Sequence, residues 1–294
     1  MSSSKPKTVF ITGASSGIGY ALAIEFAKRG YKVFAGARNV VKLKSLEQYG
    51  VIIHPVDITD KDSIYKIKEF IEEETGGELD ILYNNAGVAP PKSSVFDLDT
   101  DELRHTYEVN FFGHVEVIKA FHKMIVATKG SIVFTGTALN YIAAPFHSSY
   151  SSSKGALHQL GKNLATEVNA LGIKVFQVAT GGVESEIDNN NGTSEPPINS
   201  IYHLDDGNIF DFGFDVKQKA DIYAKNVVND IESFLKWGWW SNYKIIYRGH
   251  EASLARELDI FFPYWLWPTF IVRFLKIDSA FAKIRAKLSK PKTS

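Results

Sequence analysis

The stretch TVFITGASSGIG, residues 8–19, constrains this chain more than any other. An apolar, β-branched run ends on a glycine, and Ile18, Leu22 and Phe26 then recur at helical spacing until Gly30. That pattern is a strand turning sharply into a helix, closed by a glycine C-cap. Further short apolar runs follow. YKVFAGAR (31–38), VIIHPVD (51–57), ILYNNAG (81–87), GSIVFTGT (130–137) and IKVFQVATGG (173–182) read as further strands. Between them lie helical stretches over 60–74, from about 99 to 127, and from 150 to about 171. A helix over 216–236 and a seventh strand in YKIIYRG (243–249) follow. Short apolar runs alternating with amphipathic helices predict an α/β domain: a doubly wound parallel sheet with helices on both faces.

Length and charge agree with that reading. The 294 residues can bury one large core, and there is no internal repeat or interdomain linker. We read 1–250 as one domain and 251–294 as a C-terminal tail rich in aromatic and basic residues. Lys and Arg number 33, as do Asp and Glu, so the chain has no global attraction to nucleic acid. There are no cysteines, which excludes disulfides, thiolate chemistry and zinc–cysteine sites, and no metal site is apparent. MSSSKPKTVF has no basic-then-apolar signal pattern, so a cytosol-facing protein is expected. Residues 184–215 are rich in Asn, Asp, Gly and Pro and too long for a simple connection; they predict a mobile insert or lid.

The glycine turn carries the first chemistry. Gly13, Ser15, Ser16, Gly17, Ile18 and Gly19 sit between the first strand and its helix, where the backbone can approach a pyrophosphate and the helix N-terminus offers unpaired N–H groups. This is the Rossmann-like arrangement for a dinucleotide. The second strand ends Gly36-Ala37-Arg38-Asn39, with no carboxylate to bind ribose hydroxyls. Arg38 complements a 2′-phosphate instead, so NADP(H) is the expected cofactor. Asp57, in VDIT, either receives the adenine amino group or caps the helix at 60–74.

Tyr150 and Lys154, in YSSSK, fall one turn apart on one helix face. An ammonium there favours the phenolate, bringing a tyrosine with an ordinary pKa of about 10 toward proton exchange near neutrality. Alone, such a pair is more readily a solvated surface. It is not alone. TGASSGIG, NNAG at 84–87, Asn110 within a helix, a hydroxyl at Thr137 and YSSSK form one ordered set that resembles the short-chain dehydrogenase/reductase family over roughly residues 7–250. The resemblance implies that Tyr150 gives a proton to a ketone oxygen and that Lys154 also holds the nicotinamide ribose. It implies that Thr137, where the family usually has serine, orients the substrate oxygen with a stiffer hydroxyl, and that Asn110 relays protons through water and Lys154. Asn84, Ala86 and Gly87 would shape the cofactor floor. Gly181, Val183 and Ser185 would follow the sixth strand, with Thr180 in place of a usual proline. Family members often pair through the helices carrying Asn110 and Tyr150, which raises a homodimer.

The tail separates this chain from the general pattern. LDIFFPYWLWPTFIVRFLKI (258–277) is broken by Pro263 and Pro268, so it reads as a peripheral contact with a lipid surface rather than a span. The alternative is a segment folded over the substrate pocket. LDILYNNAG, GSIVFTGT, TGGV, IYRG and FFPYWLW also resemble one branch of the family, the fungal NADPH-dependent 1-acyldihydroxyacetone-phosphate reductases. That implies a lipid carbonyl substrate and a cytosol-facing surface of endoplasmic reticulum or lipid droplets. Against a phosphorylated substrate stand the acidic insert and the lack of a basic cluster beside the catalytic motifs in the chain. The other readings are a reductase of sterols, retinoids or other apolar carbonyls, and a protein that binds NADPH at lipid surfaces without turnover.

Overall fold

The computed structural model describes residues 5–185, 194–213, 216–238 and 240–289. Seven strands form one sheet: β1 (Thr8–Thr12), β2 (Lys32–Ala37), β3 (Ile52–Pro55), β4 (Ile81–Asn84), β5 (Ser131–Thr135), β6 (Lys174–Thr180) and β7 (Tyr243–Arg248). Their order is β3-β2-β1-β4-β5-β6-β7, and every pairing is parallel. Side chains alternate across each strand, so one sequence feeds two cores. Val9 and Ile11 of β1 pack with α1 (Gly17–Lys28) and α6 (Ala220–Trp237) on one face. Phe10 points to the other, among side chains of α2 (Lys61–Thr75), α4 (Gly113–Thr128) and α5 (Ser148–Glu167). The order reverses between β1 and β4, and ligands of such sheets bind beyond the strand ends at that point.

Two local departures from the sequence reading bear on function. The helix expected over 99–127 is divided: α3 (Thr100–Tyr107) passes through a π-helical turn at Glu108–Phe112 before α4 begins. The wider turn carries Asn110, whose side chain closes onto the loop after β4. The helix expected from 216 begins only at Ala220, because Gln218 pairs with the strand end instead. Its N–H donates to Gly182 O at 3.0 Å and its carbonyl accepts from Glu184 N–H at 2.9 Å.

The tail folds as α7 (Ala252–Phe261), α8 (Trp267–Phe274) and α9 (Asp278–Ser289). Pro268 occupies the first turn of α8, where the missing N–H costs nothing. Trp267, Ile271, Leu275 and Ile277 are buried among themselves and against Ile142, Phe212 and Leu258. Among the described residues no helix is long and apolar enough to cross a membrane. Of the predicted insert, 186–193 and 214–215 lie outside the described residues. The described part is packed rather than detached: Ile209 and Phe210 are buried with Phe146 and Ile284 of α9.

Candidate active site

The β1–α1 turn forms a cradle that only glycines permit. Gly13 has φ +67°, and a Cβ there would lie 2.6 Å from Ala86 Cα; at Gly19 a Cβ would lie 2.4 Å from Gly13 O. The backbone thus approaches α1 closely, and Ser16 caps that helix without a side-chain bond. These features fit a pyrophosphate.

A network missing from the sequence reading locks this cradle to its neighbours. The Thr12 hydroxyl accepts from Asn85 N–H (3.0 Å) and Ala86 N–H (3.1 Å). The Asn85 amide donates to Thr12 O and Gly13 O and accepts from the Thr135 hydroxyl at 2.9 Å, tying together the ends of β1, β4 and β5. No periodicity signals such a bond set, because its partners are 50 to 74 residues apart.

One cavity of about 1120 Å³ runs along these strand ends. It is lined by Gly13, Ser15, Ser16, Gly17, Ile18 and Gly19, by Arg38 and Asp57, by Ala86 and Gly87, by Thr137, Tyr150 and Lys154, and by Gly181, Val183 and Ser185. Residues spread over six strand ends therefore share one space. Asn39 and Lys42 accompany Arg38. Asp57 is not the cap of α2, a role taken by Asp60. Asp57 Oδ1 accepts from the N–H and hydroxyl of Thr59 at 2.9 and 2.7 Å. Burial pushes its carboxyl up, but the Thr59 bonds and the Arg38 and His105 charges outweigh that and hold it below the usual range.

Two expected residues lie behind the cavity instead of on it. Asn84 is fully buried, with Oδ1 3.4 Å from Nδ1 of His114. Asn110 is also fully buried: it accepts from Val88 N–H and donates to Val88 O (both 2.9 Å) and to the Ser153 hydroxyl (3.0 Å). Its amide is a clamp joining the π turn, the β4 loop and α5. It still lies near Lys154, since a Cβ on Gly87 would stand 3.2 Å from both Asn110 Oδ1 and Lys154 Nζ. His114 went unnoticed in the sequence. Burial and the Lys154 charge push it down to about 3, so its neutral ring donates through Nε2 to Ala86 O at 2.9 Å.

The end of the cavity that holds the expected proton donor is built on α5 and β5. Tyr150 and Lys154 both line the cavity, and Lys154 Nζ donates to Thr135 O at 3.1 Å. Burial lowers the Lys154 pKa to about 8. Thr137 accepts from Leu139 N–H at 3.2 Å as the cap of a short 3₁₀ turn. A hydroxyl has one proton and two lone pairs, so that bond leaves the O–H to donate to a substrate oxygen. Thr180, in place of proline, bonds the buried Tyr223 hydroxyl at 2.7 Å, which steadies the end of β6 by another means. One part of the wall is apolar and comes from the tail: Leu254, Leu258, Trp267, Phe270, Ile271 and Phe274.

Comparison with known proteins agrees with this geometry. Residues 7–196 match the family described as short chain dehydrogenase. The chain is 33% identical to the NADPH-dependent 1-acyldihydroxyacetone phosphate reductase of Saccharomyces cerevisiae over 297 aligned residues, covering 97% of this chain and 96% of that protein. It is 36% identical to the protein of the same name from Schizosaccharomyces pombe, covering 67% and 68%. A Caenorhabditis elegans short-chain dehydrogenase/reductase solved with cofactor superposes with a TM-score of 0.68 at 26% identity, covering 84% of this chain and 95% of that one. The chain belongs to the short chain dehydrogenase family and is an oxidoreductase.

Proposed function

We propose that this protein uses NADPH to reduce the ketone of an acylated, phosphorylated triose, 1-acyldihydroxyacetone phosphate, to 1-acylglycerol 3-phosphate. The observation that carries the reading is the apolar wall that α7 and α8 add to the cavity holding Tyr150 and Lys154. Such a wall suits an acyl chain, and the names of the yeast relatives support the same substrate. Arg38 and Lys42 place positive charge at the adenosine end, as a 2′-phosphate needs.

The chain's own groups account for the proton. When bound, NADPH supplies the hydride. Thr137 donates a hydrogen bond to the ketone oxygen and sets its orientation. Tyr150 delivers a proton to that oxygen, and the Lys154 ammonium stabilises the phenolate left behind. Lys154 carries that charge while buried, so its influence on Tyr150 is screened little by solvent.

The outer side of the tail supports a second part of the reading. Phe261, Tyr264 and Trp265 are 77–80% exposed, beside the exposed Ile260. We place this aromatic edge against a lipid surface, facing the cytosol at endoplasmic reticulum or lipid droplets, where an acylated substrate resides.

The test is NADPH oxidation by the purified protein with detergent-dispersed 1-acyldihydroxyacetone phosphate, the same ketone without phosphate, and a sterol ketone. Preference for the phosphorylated lipid is expected. Preference for the apolar ketones would overturn the substrate. Bound NADPH with no turnover of any would overturn the reductase reading.

A further inference from the structure

The start of α5 has features that neither the dinucleotide cradle nor the proton relay uses. This helix of 20 residues begins beside the catalytic tyrosine, and its N-cap residue His147 provides no side-chain cap. The first backbone bond of the helix runs from Ser151 N–H to His147 O, leaving the N–H groups of Ser148 and Ser149 without acceptors among the described residues. Ser149 is only 7% exposed and lines the cavity, yet its buried hydroxyl has no hydrogen-bond partner among the described residues. Buried hydroxyls rarely go unpaired, so this one is a candidate partner for a ligand.

A cation stands against the same wall. Lys92, half-buried in the loop after β4, lines the cavity, donates from Nζ to the carbonyls of Phe210 (2.7 Å) and Phe212, and lies 4.1 Å from the centroid of the Phe212 ring. That ring is 5.9 Å from the imidazole of His147. The backbone repeats the connection, since Ser93 N–H donates to Phe146 O at 3.0 Å. The basic group missing beside the catalytic motifs in the sequence is thus brought there from 58 positions before Tyr150 by the fold.

We propose that this corner, formed by Lys92, the Ser149 hydroxyl and the N-terminal amides of α5, binds the phosphate of the substrate. The inference rests on the phosphorylated-ketone reading given above. An ammonium, a hydroxyl and helix N-terminal amides are the donors a phosphomonoester takes, and the helix dipole favours its charge. The position also suits the chemistry. Ser149 adjoins Tyr150 in the chain, and the substrate carries its phosphate on the carbon next to the ketone. One group opposes: Asp211, exposed and lying between the two residues that hold Lys92, also lines the cavity. Its carboxylate repels a phosphate, so this corner is tuned below its strongest affinity.

The test uses the full chain and one ratio: kcat/KM for 1-acyldihydroxyacetone phosphate divided by kcat/KM for the same ketone without phosphate. Both substrates meet the same protein preparation, so loss of folded enzyme cancels. Lys92→Met is expected to lower the ratio about 10-fold or more, while Lys92→Arg retains most of it. Ser149→Ala lowers it less, and Asp211→Asn raises it; these two carry the test if Lys92→Met fails to fold. A wild-type preference unchanged in Lys92→Met, Ser149→Ala and Asp211→Asn would overturn the phosphate corner alone. A wild-type enzyme with no preference for the phosphorylated ketone would overturn the substrate reading beneath it.

Discussion

Replacing Trp267 by alanine tests whether the tail is part of the enzyme or an appendage. The indole is 2% exposed, with ring centroids 5.3 Å from Phe262 and 5.7 Å from Phe270, and it lines the cavity. Truncating a buried tryptophan costs about 3–5 kcal/mol through lost burial and the void it leaves. Here the space opens into an existing cavity of about 1120 Å³ instead of being sealed, so the void contribution is reduced. We therefore expect the lower end, about 3 kcal/mol. Urea unfolding followed by circular dichroism should show a midpoint lower by about 1 M or more, at an m-value typical of small domains. The same change should lower kcat/KM for a long-acyl ketone more than for a short-acyl one, because the missing ring belongs to the apolar wall. Stability within about 0.5 kcal/mol of wild type, as for a surface substitution, together with unaltered chain-length preference, would refute the packing of the tail onto the site.

Other consequences follow from single groups. Burial holds the Lys154 pKa near 8 against an ordinary 10.5. The ammonium is therefore lost as pH rises through about 8, and NADPH affinity should weaken above that value in fluorescence titrations, a slope that Lys154→Met removes. The unfolded chain keeps this proton longer, so the cofactor-free protein should gain stability with rising pH between about 8 and 10.5; a loss over that window would contradict the depressed value. Tyr150→Phe should lower kcat by about 10²–10⁴-fold with NADPH affinity nearly unchanged, and wild-type turnover would end the proton-donor assignment. Arg38→Met should weaken NADPH binding by about 10–100-fold with little effect on NADH, since a charge-assisted bond to the 2′-phosphate is lost; equal losses for both cofactors would remove Arg38 from that role.

Local patterns in the chain were sufficient for the sheet, the glycine turn and the YSSSK helix. Each depends on spacing within one strand or one helix, where periodicity and glycine placement are direct expressions of backbone sterics. Thr137, Tyr150 and Lys154 were legible for the same reason, as members of short ordered motifs. Asn84 and Asn110 were legible as motif members but not as geometry. Both are fully buried and neither lines the cavity, and Asn110 sits on a π turn that no helical period announces.

Tertiary structure alone decided the rest. The Thr12–Asn85–Thr135 lock, His114 beneath Ala86 and the placement of Lys92 beside α5 all join residues far apart in the chain. The tail shows the division well. Its composition favoured a lipid surface and left a pocket cover as the alternative, because hydrophobicity records a preference for leaving water and carries no direction. The fold supplies that direction: Trp267 and Ile271 face the cavity, while Phe261, Tyr264 and Trp265 remain outside.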